Sequence, residues 1–302
     1  MNTFKVAVVG LGNMGKYHVK HAQTLPGVSL VAVCDTDPNR LEAIRALAPD
    51  VPGFTDIDTM VDQIKIDLAC VVVPTSLHAK IAGKLLAQGI HVLVEKPIAS
   101  TLAESDALIH AAKQHGKRLF VGHVEYFNPA VQAFFTYREN QDFGPIRHIA
   151  ARRWSPMPPQ ITDANVIIDL CIHDLHIVTQ LIAEAPAKTT WYEKSHVLQN
   201  RADAAIGILE FSEATASIEA NWISSAKVRD MEIVGANGVA KIDLLHQRCC
   251  VSSHTHPEWQ DLPIKKAWPL ETELAHVIDA IQKKEKSPID AEQGLRALAL
   301  CF

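Results

Sequence analysis

Phe4-Lys5-Val6-Ala7-Val8-Val9-Gly10-Leu11-Gly12-Asn13-Met14-Gly15 decides the fold. A short β-branched run passes into G-x-G-x-x-G, and a helical pattern follows from about Met14 to Leu25. In that context the first glycine allows a tight turn, the second lets backbone approach a pyrophosphate, and the third permits close helix-to-strand packing. Backbone N–H groups and the helix dipole then hold the phosphates, so Gly10, Gly12, Asn13, Met14 and Gly15 are candidate cofactor contacts. Twenty residues beyond Gly15, Asp35 ends a second apolar run. A carboxylate there accepts both ribose hydroxyls and repels a 2′-phosphate, which favours NAD over NADP. The plainer alternative is that Asp35 caps the next helix, as Asp37 before Pro38 is placed to do.

Outward from this stretch, short apolar runs alternate with helical segments as far as Gly122: VSLVAVCD, LACVVV, HVLVE and RLFVG, separated by helices near 38–47, 57–64, after Pro74, and 102–115. Strands apolar throughout suit a parallel sheet covered on both faces, and this grammar predicts a Rossmann domain over residues 1–122. Beyond Gly122 alternating runs follow one another: AAIGILEF, TASIEANWI, VRDMEIVG, GVAKIDLL and RCCVSS. They predict an α+β domain over 123–302 with a mostly antiparallel open sheet, framed by helices near 169–183, 271–283 and 291–300. Ala216, Ile218, Ala220 and Trp222 alternate with Ser217, Glu219 and Asn221, so one sheet face is buried and the other is available to a second subunit.

Composition narrows the function. The 302 residues carry 29 Lys plus Arg against 34 Asp plus Glu, a net charge of -5, and hold no long run of like charge. No nucleic-acid partner is expected. The apolar runs are far shorter than the ~20 residues of a membrane span. The first residues show no signal-peptide pattern, which predicts a cytoplasmic chain. Six cysteines show no C-x-x-C pair and read as reduced thiols, with the adjacent Cys249 and Cys250 unexplained.

GLGNMGKYH, VCDTDP, VVVPTSLH, VEKP and DLCIHD, in that order, resemble the glucose-fructose oxidoreductase and inositol dehydrogenase (Gfo/Idh/MocA) family over essentially the whole chain. GHVEYFNPAVQ at 122–132, ARRWSPMP at 151–158 and VIIDLCIHDLHIV at 166–178 are nearest to its UDP-N-acetylglucosamine 3-dehydrogenase type. The commoner family form has Arg where Tyr126 stands and Asp where His176 stands. The resemblance implies an NAD-dependent dehydrogenase acting on a sugar secondary alcohol, most directly C3 of a UDP-N-acetylhexosamine, in a homodimer or homotetramer. A free polyol, inositol or aldose is the alternative substrate, and a non-catalytic NAD sensor is the alternative of another class.

Lys96 follows the fifth strand, at the carboxyl end where ligands of open α/β sheets bind. By the resemblance its ammonium hydrogen-bonds the reacting hydroxyl; the bland reading is a surface lysine. Asp169 and His173, four apart, share one face of a helix. By analogy His173 is the general base and Asp169 orients it or binds a sugar hydroxyl, whereas a helix-start pair is the alternative. Adding His176 would suggest a metal site, but nicotinamide carries the redox chemistry and no metal is expected. Pro74, Thr75 and His78 resemble the segment lying along the cofactor, and Glu95 is placed near its ribose. Arg152 and Arg153, taken to follow a strand, could hold a diphosphate, with only one of them facing the cleft. His123, Tyr126 and Asn128 are candidate substrate contacts, although Phe127-Asn128-Pro129 reads equally as a hinge.

Overall fold

The computed structural model describes residues 3–157 and 164–302. Pro158, the last residue of the Ala151-to-Pro158 motif, lies outside them. The chain divides into two compact units, Met1–His123 with Leu270–Leu295, and Val124–Pro269 with Arg296–Phe302.

The first unit holds six strands: β1 (Phe4–Val9), β2 (Val28–Cys34), β3 (Gly53–Phe54), β4 (Leu68–Val71), β5 (His91–Glu95) and β6 (Leu119–Gly122). All pair in parallel in the order β3-β2-β1-β4-β5-β6, so strand order reverses between β1 and β4, where doubly wound sheets bind nucleotides. Val6 to Val8, Leu68 to Val71 and Val92 to Val94 have essentially no solvent exposure, as continuous apolar strands covered on both faces require. Helices α1 (Asn13–Thr24), α2 (Pro38–Arg45), α3 (Ile57–Gln63), α4 (Thr75–Ala87) and α5 (Leu102–Gln114) make the crossovers. Their starts are written locally. Asp37 and Asp56 accept the Asn39 and Thr59 backbone N–H groups, and Thr101 with Glu104 forms a capping box. Asp37, not Asp35, therefore caps α2.

The second unit opens with a 3₁₀ turn at Val124–Phe127 and α6 (Pro129–Asn140). It then builds a sheet from β7 (Ile146–Pro156), β8 (Lys188–Lys194), β9 (Ala204–Glu210), β10 (Thr215–Asn221), β11 (Ile223–Gly235), β12 (Gly238–Asp243), β13 (Arg248–Ser253) and β14 (Gln260–Asp261). The order is β14-β13-β12-β11-β7-β10-β9-β8, antiparallel except for the β7–β10 pair. Between β7 and β8 the chain forms a π-helical turn at Ile167–Cys171 and α7 (Ile172–Leu181). Helix α7 packs on β7 and β10, and α6 on β12 and β13. The alternation read at Ala216 to Trp222 is the buried phase of this sheet. It also accounts for the cysteine pair: Cys249 lies buried opposite Ile242, while Cys250, one residue on, faces outward opposite Lys241.

Two differences from the sequence reading have plain causes. A single boundary at 122/123 misses the return of Leu270–Leu295 to the first unit, led by α8 (Pro269–Lys283), whose Leu270, Leu274, Val277 and Ile278 form a buried stripe. Phe127-Asn128-Pro129, a candidate hinge by sequence, instead opens α6: Asn128 caps the helix by accepting the Ala130 N–H and Pro129 takes its first position. The last helix, α9, covers Ala291–Ala299.

Candidate active site

In the first unit the site residues gather at the carboxyl edge of the parallel sheet. Gly10 follows β1 with φ +94°, and a Cβ there would strike the Val72 carbonyl beyond β4. A Cβ at Gly15 would strike the Gly10 carbonyl, so turn and helix meet only because both residues are glycine. Gly12 differs: nothing lies within 4 Å of the place its Cβ would take. It opens α1 with no side-chain cap and no acidic residue in the first turn, which leaves a helix N-terminus and an open approach suited to a pyrophosphate. Asp35, 7% exposed, accepts the Leu11 N–H at 2.7 Å and the Asp37 N–H at 2.9 Å. It ties the glycine loop to the end of β2, and Arg40 stands 3.3 Å from it. The cradle thus fits a dinucleotide.

Lys96, half-buried, follows Glu95 at the end of β5 and precedes Pro97 through a cis peptide bond. Two histidines hold this segment. His78 on α4 was expected along the cofactor; instead its buried ring bridges the Pro97 carbonyl at 2.7 Å and the Val73 carbonyl at 2.9 Å. It staples the Lys96-Pro97 segment to the chain leaving β4. His18 on α1, absent from the sequence reading, lies 2.9 Å from the Glu95 carboxylate. Burial opposes the charge on Glu95, but His18, Lys96 and His78 outweigh it and hold its carboxyl below the ordinary range. Glu95 therefore faces α1 and stabilises the segment that carries Lys96. Pro74 is exposed and Thr75, part-exposed, opens α4. His123 is buried at the end of this unit.

In the second unit, of residues 166–179 only Ile168, Asp169 and His173 are part-exposed. Asp169 sits within the π turn and His173 in the first turn of α7. The Ile172 N–H reaches back to the Ile167 carbonyl, and Asn165 accepts the Ile168 N–H at 2.9 Å to start the turn. One inserted residue re-aims a helix face, and such bulges recur at functional sites. The residues packed behind them are polar. Asp174 is buried and takes two hydrogen bonds from Arg153, at 3.0 and 2.7 Å. Arg153 also donates to Glu125 at 3.0 Å, and Arg229 donates to the same Glu125 oxygen at 3.2 Å.

This network corrects several expected contacts. Arg153 is 2% exposed, and both edges of its guanidinium are occupied by carboxylates. It braces the sheet against the 3₁₀ turn and α7, and cannot hold a diphosphate. Both arginines lie within β7, not after it. Arg152 points to the other sheet face, where Asp230 holds it bidentately at 2.9 and 2.8 Å. Asn128 is buried, capping α6 and donating to Glu125 and the Leu244 carbonyl. Tyr126 meets the buried His176 edge-on at 5.8 Å between ring centres. The signal for the missed Arg229 is its phase: it falls in the alternation of Met231 and Ile233, which face the core.

Comparison with known proteins agrees with this architecture. A family model described as the GFO/IDH/MocA oxidoreductase family, NAD-binding Rossmann fold, matches residues 4–123, and the GFO/IDH/MocA C-terminal domain matches 132–241. UDP-N-acetylglucosamine 3-dehydrogenase of Acidithiobacillus ferrooxidans is 30% identical over 80% of this chain and 74% of its own. The chain belongs to the GFO/IDH/MocA oxidoreductase family. A solved structure of the Acidithiobacillus enzyme superposes with a TM-score of 0.91 at 27% identity, covering 100% of this chain and 96% of that one. The NAD-dependent scyllo-inositol 2-dehydrogenase of Bacillus subtilis is 28% identical over 94% of this chain and 88% of its own. As a member of this family the chain is an oxidoreductase with NAD as its cofactor.

Proposed function

We propose that this oxidoreductase oxidises a secondary alcohol of a sugar, most directly C3 of a UDP-N-acetylhexosamine, to a 3-keto sugar nucleotide. The identity with UDP-N-acetylglucosamine 3-dehydrogenase, the highest among the relatives compared above, carries the nucleotide-sugar reading. Bound NAD supplies the hydride acceptor. Lys96 hydrogen-bonds the reacting hydroxyl and favours the developing alkoxide, and His173 takes the hydroxyl proton as the hydride leaves carbon. Asp169 orients His173 or binds a neighbouring hydroxyl. Pro74 and Thr75 lie along the cofactor, and His123 and Tyr126 flank the sugar. The scyllo-inositol relative favours a second reading, the same machinery working on a free polyol. The reading includes a cytosolic location and a homodimer or homotetramer joined through the outward face of the eight-stranded sheet.

The experiment is turnover of NAD with UDP-N-acetylglucosamine, then free inositol and glucose, followed by absorbance of reduced nicotinamide with a ketone trap present. Turnover with the nucleotide sugar should fall at least about 10²-fold in Lys96→Ala and in His173→Ala, with NAD still bound. Turnover with polyols alone would sink the nucleotide-sugar assignment. Silence with every substrate, NAD being bound, would sink the catalytic reading in favour of a sensor.

A further inference from the structure

Arg229 lies opposite Arg153 in the antiparallel register of β11 and β7, so both side chains stand on the helix-covered face. Two guanidiniums side by side repel, and Glu125 between them offsets this by accepting from both. The partners are unequal. Arg153 is buried, with its Nε, Nη1 and Nη2 groups all committed. Arg229 keeps 37% of its side chain exposed and spends only Nη1, so its Nε and Nη2 hydrogens meet no acceptor among the described residues. Burial and the Arg153 charge both weigh against Arg229, and Asp169 is near enough for its carboxylate to act on the same guanidinium. Arg229 is thus the open end of a row Asp174–Arg153–Glu125–Arg229, anchored at one nitrogen, part-exposed, and with the rest of its fork uncommitted. An oxyanion on that fork would offset the repulsion from Arg153.

Resting on the nucleotide-sugar reading, we propose that Arg229 is the specificity residue that grips the anionic part of the substrate by a two-pronged hydrogen bond. Phosphate and carboxylate oxygens both match a guanidinium fork. The anion is therefore either the diphosphate of the nucleotide or a carboxylate on the sugar ring. Neither Arg152 nor Arg153 is available for this, for the reasons above.

The test is calorimetric binding to the NADH-loaded protein of UDP, UDP-N-acetylglucosamine and the corresponding UDP-N-acetylglucosaminuronic acid. Arg229→Met should weaken the anionic ligand about tenfold or more, leaving NADH affinity unchanged, while Arg147→Met on the outward surface changes neither. Equal weakening for all three ligands identifies the diphosphate; loss of only the preference for the uronic acid identifies the carboxylate. Should Arg229→Met fold poorly, Arg229→Lys keeps a charge beside Glu125 but lacks the fork, and it should still bind several-fold more weakly. Wild-type affinity for every ligand in both variants would overturn the assignment and leave the proposed activity standing. A wild-type protein that binds NADH but none of the three would overturn both.

Discussion

In the second unit two buried carboxylates, Glu125 and Asp174, share the guanidinium of Arg153 and keep their hydrogen bonds. In the first unit Glu273 on α8 is wholly buried, and neither of its carboxyl oxygens has a hydrogen-bond partner among the described residues. One region has paired its carboxylates with cations: Arg153 and Arg229 hold Glu125 below the ordinary range, while burial still raises Asp174 against the pull of Arg153. The other has left its carboxyl without a counter-ion: burial, with the neighbouring charge of Glu95, pushes Glu273 well above the ordinary range. Equal burial therefore does not dictate one direction of shift; a counter-ion opposes the effect of burial, outweighing it at Glu125 and only reducing it at Asp174. Glu95 makes the contrast within a single unit, since His18, 2.9 Å away, helps hold its carboxyl below the ordinary range despite burial.

The largest effect should come from removing the shared counter-ion. Arg153→Met leaves Glu125 and Asp174 buried without it, and breaking such a pair from one side costs about 3–5 kcal/mol. Urea denaturation should show that loss. A cost below about 1 kcal/mol would mean that Arg229 alone suffices for both acids, and the comparison between the units would collapse. The double change Arg153→Met with Asp174→Leu should recover part of the stability, because apolar residues replace a buried pair with little penalty.

The first unit should respond in the opposite direction and with pH. A carboxyl whose folded pKa lies above its unfolded value of about 4.3 binds a proton in the native state that the unfolded chain has lost. Stability then falls as pH rises from that value toward the folded one, with a limiting slope of about 1.4 kcal/mol per pH unit for one proton. Glu273→Gln removes this slope. The variant should match wild type near pH 4.5 and exceed it at pH 8, in melting curves of the protein without cofactor. Glutamine less stable than wild type at pH 8 would mean an ionised, partnered Glu273.

Both features were legible in part, and the reason is periodicity. Parallel strands covered on two faces write themselves as unbroken apolar runs, so the six-stranded sheet, its glycine loop and the place of Asp35 and Lys96 at strand ends emerge from residues 4–123 directly, whereas a role for Lys96 comes only from the family resemblance. The second unit's sheet also emerged through its alternation. The polar exceptions on these patterns did not. Arg153 continues the buried phase of Ile149 and Ala151, Arg229 that of Met231 and Ile233, and Glu273 sits on the stripe of Leu270, Leu274 and Val277. A charge in the apolar phase of an otherwise regular element is the sequence mark of a buried network, and assigning one of Arg152 and Arg153 to a diphosphate passes over it. The π turn leaves no such mark, because one extra residue in five is lost within the helical repeat.

The smallest effect tests whether burial, and not the ion pair as such, sets these energies. Arg152 is the chain neighbour of Arg153, and it too is held bidentately by an aspartate, at 2.9 and 2.8 Å. Its guanidinium also lies 5.6 Å from the centre of the Trp154 ring. The two pairs differ in exposure: 49% and 32% for Arg152 and Asp230, against 2% and 1% for Arg153 and Asp174. An exposed pair in high dielectric contributes about 0–1 kcal/mol and is screened by salt. Arg152→Ala should therefore cost no more than that in urea denaturation, and less again at high salt, whereas the Arg153→Met loss should hardly change with salt. If the two substitutions cost the same, the geometry of the fork and not its removal from water would be what stabilises the second unit, and Glu273 would need another explanation.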